Sequence, residues 1–178
     1  FSSNQINTRK TYNKSKITVG MVGLIQKSKG ADIFFNAAKL CRDFGYDIDF
    51  HYYGDVKFRV NSIRHKVRKF FNVHEDISLE LKKLTTSFKM NKNVKFFSFS
   101  EDLNKIYNCI DILCFPSLLN APGRPVFEAG FFKVPSIVAI TNPLKDTFTD
   151  KVTGLVIKEK DYLDLSEKII YLSKNKNL

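Results

Sequence analysis

Ile17-Thr18-Val19-Gly20-Met21-Val22 is a β-rich run that stops at Gly23, and after a turn ending in Gly30 the apolar residues change spacing. Ile33, Phe34, Ala37, Leu40, Cys41 and Phe44 recur with the period of a helix that buries one face. Ile48-Asp49-Phe50-His51-Tyr52-Tyr53 then reads as a second strand, stopped at Gly54-Asp55. Strand, helix of roughly 14 residues and strand in that order predict a crossover unit with two parallel strands.

The alternation continues along the chain. Val94 to Phe97 reads as a strand, and Ser100 is a candidate cap for a short helix carrying Leu103, Ile106 and Tyr107. Ile112 to Phe115, a helix from about Arg124 to Phe132, the strands Ser136 to Ile140 and Gly154 to Ile157, and a closing helix with Leu163, Leu165, Ile169, Ile170 and Leu172 complete the series. Short apolar strands separated by amphipathic helices predict an α/β domain: a Rossmann-like, doubly wound, mostly parallel sheet with helices on both faces. Ligands of such sheets sit at the carboxyl ends of the strands.

The chain has 178 residues, 43% hydrophobic and 26% charged, which suits one folded domain. No run approaches the roughly 18 apolar residues that cross a bilayer, and Phe1 to Lys16 lacks the pattern of a signal peptide. Residues 1–16 read as an interdomain linker or arm and 17–178 as the domain; beginning on Phe, the chain reads as a piece of something longer. Cys41, Cys109 and Cys114 lie in apolar patterns without metal-ligand spacing, so all three are expected to be reduced core thiols in a cytoplasmic protein. His51, His65 and His74 have no acid or base nearby in sequence and read as structural or surface residues.

The formal charge is +11, and residues 55–93 supply +6 of it. That stretch interrupts the strand and helix rhythm with two helical patterns, Val60, Ile63, Val67 and Phe70, then Ile77, Leu81, Leu84 and Phe88, and reads as a basic helical insertion. Residues 57–69 carry Lys57, Arg59, Arg64, Lys66, Arg68 and Lys69 and no acid. Two readings stand: a helix peripheral on the inner, anionic face of the cell membrane, or one packed on the sheet with its charges solvated. Nucleic acid is not expected as a partner, since no helix-turn-helix or zinc pattern is present.

Two loops carry the candidate chemistry. Gly23 to Gly30, ending Lys27-Ser28-Lys29-Gly30, puts a cation and, as expected from sequence, free backbone N–H groups where a helix begins, an arrangement suited to phosphate. It is neither a Walker loop nor a dinucleotide fingerprint, and a plain connecting loop is the competing reading. The second loop is Phe115-Pro116-Ser117-Leu118-Leu119-Asn120-Ala121-Pro122-Gly123, leading into Arg124-Pro125-Val126-Phe127-Glu128-Ala129-Gly130. Pro125 suits an early helical position, and the helix start offers N–H groups to an anion. Glu128 lies about one turn inside, a carboxylate suited to a diol such as ribose, with small Ala129 and Gly130 expected to allow close approach.

With these motifs the sequence resembles the C-terminal, nucleotide-sugar-binding domain of family 4 glycosyltransferases of GT-B architecture. The likeness runs collinearly from Ile17 to Leu172 outside the insertion. Lys29-Gly30 stands at a Lys-Gly that holds the donor diphosphate, and Ser117, Gly123, Arg124, Glu128 and Ala129 match a Pro-Ser, Phe-Gly-Arg and Glu-Ala segment. Pro135 to Ala139 and Thr153 to Val156 match two further strand motifs. The resemblance implies that Glu128, second Glu of an E-x7-E motif, holds the ribose, while Gly23, Ala121 and Pro122 complete the nucleotide contacts. Three departures accompany it. Asn120 replaces the first Glu of that motif, Leu24 replaces an Arg that pairs with the Lys, and Asn142 to Asp146 replace a Gly-Gly-x-x-Glu loop.

What the resemblance implies is retaining, metal-independent transfer of a sugar from a nucleoside-diphosphate donor, which is a substrate and not a cofactor. Lys29, Arg124 and Asn120 would be the catalytic residues. The acceptor is expected to be a glycan or a lipid-linked glycan, in cell-surface polysaccharide or glycolipid synthesis. The N-terminal acceptor domain of such enzymes finds no room in this sequence, so the isolated chain is expected to turn over little. A nucleotide-sugar epimerase of the same fold and a non-catalytic membrane-binding module are the alternatives.

Overall fold

A computed structural model describes residues 16–54, 83, 86, 92–141 and 146–175. The proposed helices of the basic insertion lie outside these residues apart from Lys83 and Thr86, which are helical, and so does most of the loop at 142–146.

The six strands are β1 (Ile17–Val22), β2 (Ile48–Tyr53), β3 (Val94–Phe97), β4 (Ile112–Phe115), β5 (Ser136–Val138) and β6 (Gly154–Val156). The helices are α1 (Ala31–Asp43), α2 (Leu103–Tyr107), α3 (Arg124–Phe131) and α4 (Tyr162–Lys174), with a 3-10 turn at Lys27–Lys29. The sheet runs β3-β2-β1-β4-β5-β6, and every pairing is parallel. That order is the doubly wound one, and it reverses between β1 and β4.

Alternation along the strands sends side chains to two separate cores. Val19, Met21, Phe50, Ile112 and Cys114 face α1 and α4, meeting Phe34, Ala38, Cys41, Leu165 and Ile169. Val22, Tyr53, Leu113 and Phe115 face the other way, toward Ile106, Tyr107, Val126, Ala129 and Phe132 of α2, α3 and the residue after it. Aromatic contacts stiffen the first core: Phe34 meets Phe50 edge-on at 5.7 Å, and Phe35 stacks on Tyr52 at 5.8 Å. Beyond the short β1–β4 ladder the Thr18 N–H donates to Asp111 Oδ2 (2.8 Å) and the Asp111 N–H to the Thr18 carbonyl (2.7 Å).

Several sequence expectations shift in detail. Asp102, not Ser100, caps α2 by accepting from the Asn104 N–H at 3.1 Å, while Ser100 Oγ accepts from the Asp102 N–H. β5 ends at Val138 because its β6 partner offers only three residues; Ala139 and Ile140 are buried without strand pairing. None of the three cysteines is in a disulfide, but Cys109 is exposed, since it lies in the turn after α2 and not on a strand or helix face. His51 is half-buried on β2 beside the Tyr53 hydroxyl (3.3 Å), a structural place. Among the described residues no helix is long and apolar enough to cross a membrane.

Candidate functional site

The two loops singled out in the sequence follow β1 and β4, the strands between which the sheet order reverses. Helices leave these strands toward opposite faces, so their loops part and leave a crevice, the usual ligand position of a doubly wound sheet. Backbone groups join the crevice walls at their base. The Ser28 carbonyl accepts the Leu118 N–H at 3.0 Å and the Ser117 hydroxyl at 3.4 Å. Ser117 is buried, and its Oγ also accepts from the Leu119 N–H, so it holds the loop in shape. Gly30 adopts φ 75° with its Cα so near Pro116 that a Cβ would lie 2.0 Å from the Pro116 carbonyl oxygen.

The Phe115 ring is in contact distance of both Lys29 and the start of α3. Lys29 Nζ stands 5.9 Å from the ring centroid. On the α3 side, a Cβ at Gly123 would come within 2.3 Å of Phe115 Cζ, so only glycine lets the helix start press against the ring. The expected free N–H groups beside Lys29 are not there: the 3-10 turn uses those of Lys29, Gly30 and Ala31 on the carbonyls of Gln26 and Lys27. Lys29 therefore offers its ammonium alone. α3 begins differently. Gly123 caps it without a side-chain bond, Pro125 lies in the first turn, and no acid is present there. Pro125 has no N–H and the Val126 N–H bonds to the Gly123 carbonyl at 2.9 Å, so the helix start offers its dipole and the Arg124 side chain.

Glu128 is held from two directions. Its Oε1 lies 2.9 Å from Arg124 Nε, while its Oε2 accepts from the Tyr107 hydroxyl at 2.7 Å. Glu128 is 12% exposed and Arg124 70% exposed, and the guanidinium also lies 6.0 Å from the Phe99 ring. Burial, followed by the adjoining Glu128 carboxylate, raises the Tyr107 phenol well above its ordinary range, so it remains a donor. Ala129 is buried against the sheet, but Gly130 is exposed with open space around it and serves no close approach.

Asn120 stands in the left-handed region at φ 47°, which Asn tolerates better than most residues. Its Oδ1 accepts from the Thr141 N–H at 2.7 Å, tying the β4 loop to the end of β5. With the carbonyl used in this way, Asn120 has amide N–H donors to offer a sugar, where a carboxylate would have offered acceptors. Ala121 and Pro122 continue the loop, exposed and half-buried in turn. Gly23 follows β1, its N–H bonded to the Tyr53 carbonyl. Leu24 is exposed, so that side of the crevice has an apolar side chain.

The structure thus gathers Lys29, Ser117, Gly123, Arg124 and Glu128 around one crevice, and adds Tyr107, Phe115 and Thr141 to it. No local pattern announces these three. Tyr107 lies 21 residues from Glu128 and reads in sequence as one more apolar helix position. Among the described residues, no group of three or more His, Cys, Asp or Glu side chains is placed to hold a metal ion.

Residues 3–178 match the family model described as glycosyl transferases group 1. The capsular polysaccharide biosynthesis glycosyltransferase CapM of Staphylococcus aureus is 24% identical over 160 residues, which are 90% of this chain and 37% of CapM. HepE from Anabaena, solved with UDP and glucose, superposes with a TM-score of 0.70 at 20% identity, over 90% of this chain and 39% of its own. The C-terminal domain of LpcC from Francisella tularensis gives 0.68 at 22% identity, over 90% of this chain and 76% of that one. The structural likenesses establish the fold. The chain spans well under half the length of CapM and of HepE.

Proposed function

Because the chain belongs to the glycosyl transferases group 1 family, we propose that its crevice binds a nucleoside-diphosphate sugar, with a uridine nucleotide as first candidate, for transfer of the sugar to a glycan or lipid-linked acceptor. The observation that carries this reading is that Lys29 and the start of α3, with its dipole and Arg124, both lie against the Phe115 ring at the switch point of the sheet. Two sources of positive potential, the Lys29 ammonium and the dipole of α3, meet there, which suits a diphosphate.

The chemistry follows from where charge moves. The bond between the sugar's anomeric carbon and the diphosphate oxygen breaks, the electron pair stays on the diphosphate, and the acceptor oxygen bonds to carbon as its proton passes to that departing diphosphate. Negative charge grows on the leaving group, so cations already in place stabilise the transition state more than the bound donor. Lys29 and Arg124 take that role, Asn120 faces the sugar with its amide donors, and Glu128 accepts from the ribose. Retention at the anomeric carbon is part of the proposal, as is a place in cell-surface polysaccharide synthesis, the setting that the name of CapM describes for that protein. Residues 57–69 are by charge the part of the chain best suited to an anionic membrane surface, which lipid-linked acceptors would require.

A thermal-shift panel of UDP, GDP, ADP and their glucose conjugates tests the reading. A ligand that binds only the folded chain raises its melting temperature, by an amount that grows with concentration above Kd. Absence of a shift with every diphosphate at millimolar concentration would count decisively against it.

A further inference from the structure

The two partners of Glu128 differ in kind. Arg124 approaches from the exposed side of its own helix, at the end nearest the proposed diphosphate. Tyr107 approaches from another helix and is itself fully buried, its ring stacked on Phe132 at 5.3 Å and its hydroxyl 3.3 Å from the Pro125 carbonyl oxygen. A diphosphate at the start of α3 competes for the guanidinium, because a phosphate offers it the same paired acceptors as a carboxylate. Tyr107 has no such competitor.

We propose that Tyr107 is the positioning residue for Glu128: it pins one carboxylate oxygen, so that the carboxylate stays aligned with the ribose diol after Arg124 has turned to the diphosphate. The proposal rests on the reading that this site binds a nucleoside diphosphate through Glu128. A glutamate on a helix surface has three rotatable bonds, and a fixed hydroxyl removes that freedom before the ligand arrives. The bond uses one acceptor site of Oε2; Oε1, once Arg124 leaves, and the remaining lone pair of Oε2 are open to two sugar hydroxyls. The raised phenol keeps its proton through the neutral range, so the donor does not switch off with pH.

The test compares UDP with 2′,3′-dideoxy-UDP, which lacks the diol, by calorimetric titration of the chain. Tyr107→Phe removes the hydroxyl and keeps the ring on Phe132. It should weaken UDP about tenfold, leave the dideoxy compound within about twofold, and add nothing in a Glu128→Gln background. 3-Fluorotyrosine at position 107, which keeps hydroxyl and shape, should retain the wild-type preference for UDP. Equal weakening of both nucleotides, or additive losses in the double variant, would assign Tyr107 to packing alone and overturn the proposal. A wild type that prefers UDP beside a Tyr107→Phe chain that prefers it equally would remove the proposal and leave the binding site standing. A wild type that binds the two nucleotides alike, or neither, would remove the role of Glu128 and the proposal with it.

Discussion

Arg124 Nε and Glu128 Oε1 lie 2.9 Å apart on successive turns of α3, with the cation at the helix N-terminus and the anion one turn inside. That is the reverse of the order the helix dipole favours, for a positive side chain there adds to positive potential already present. The arrangement makes physical sense when an anion is to be bound at that end, since dipole and guanidinium then act on the same charge.

Arg124→Ala should consequently separate binding from stability. The side chain is 70% exposed, so screening by water leaves its pair with Glu128 a small stabilising contribution, and the melting temperature should stay within a few degrees of wild type. UDP affinity should fall roughly tenfold, with a shallower dependence on salt. Titration at two salt concentrations reads both effects; an unchanged Kd would remove Arg124 from the diphosphate site.

Lys29→Ala should act on rate more than on binding. The ammonium stands over the Phe115 ring and not in an ion pair among the described contacts, so its charge is available when the leaving group gains its own. In a turnover assay kcat should drop on the order of a hundredfold while donor affinity changes far less. Equal loss in both would assign Lys29 to ground-state binding.

Gly30→Ala addresses the framework. A methyl group at φ 75°, 2.0 Å from the Pro116 carbonyl oxygen, forces the β1 and β4 loops apart. A loss of about 2 kcal/mol or more is expected from urea unfolding, together with weakened nucleotide binding. Wild-type stability in this variant would show that the two loops do not depend on that contact.

Alkali should unfold the chain through its buried acids. Burial raises the Cys41 thiol from 9.0 to about 12, and raises Cys114, Tyr52, Tyr53 and Tyr107 as well. The folded state thus holds these protons more tightly than the unfolded state. Stability that is complete below about pH 9 is lost as pH climbs toward 12. Urea midpoints between pH 7 and 11 should decline from about pH 9, and Cys41→Ala should flatten the first part of that decline. With a thiol reagent at neutral pH, Cys109 should react fast and the two buried thiols only on unfolding.

The strands are legible because each is a short apolar run between turn residues, and four of the six agree to the residue at both ends. Ser100 and Asp102 show where legibility ends. Both are short polar residues before the same helix, and which one caps it depends on backbone angles that only the packed chain sets. The same holds for the turn after β1: Lys29-Gly30 is readable as a cation before a helix, but the 3-10 geometry that uses its N–H groups is not. Tyr107 and Glu128 meet only because α2 and α3 share one face of the sheet, which makes their contact a property of topology.

The Ser28 carbonyl has a consequence for how such a site diverges. It joins the walls of the crevice through a backbone oxygen, bonded by the Leu118 N–H and the Ser117 hydroxyl, and the Gly30 contact requires only that no side chain stand there. The exposed Leu24 side chain takes no part in these contacts and can change without disturbing the cleft, whereas Asn120 cannot, since its Oδ1 holds the Thr141 N–H. The shape of the cleft and the chemistry of its rim are thus set by different residues.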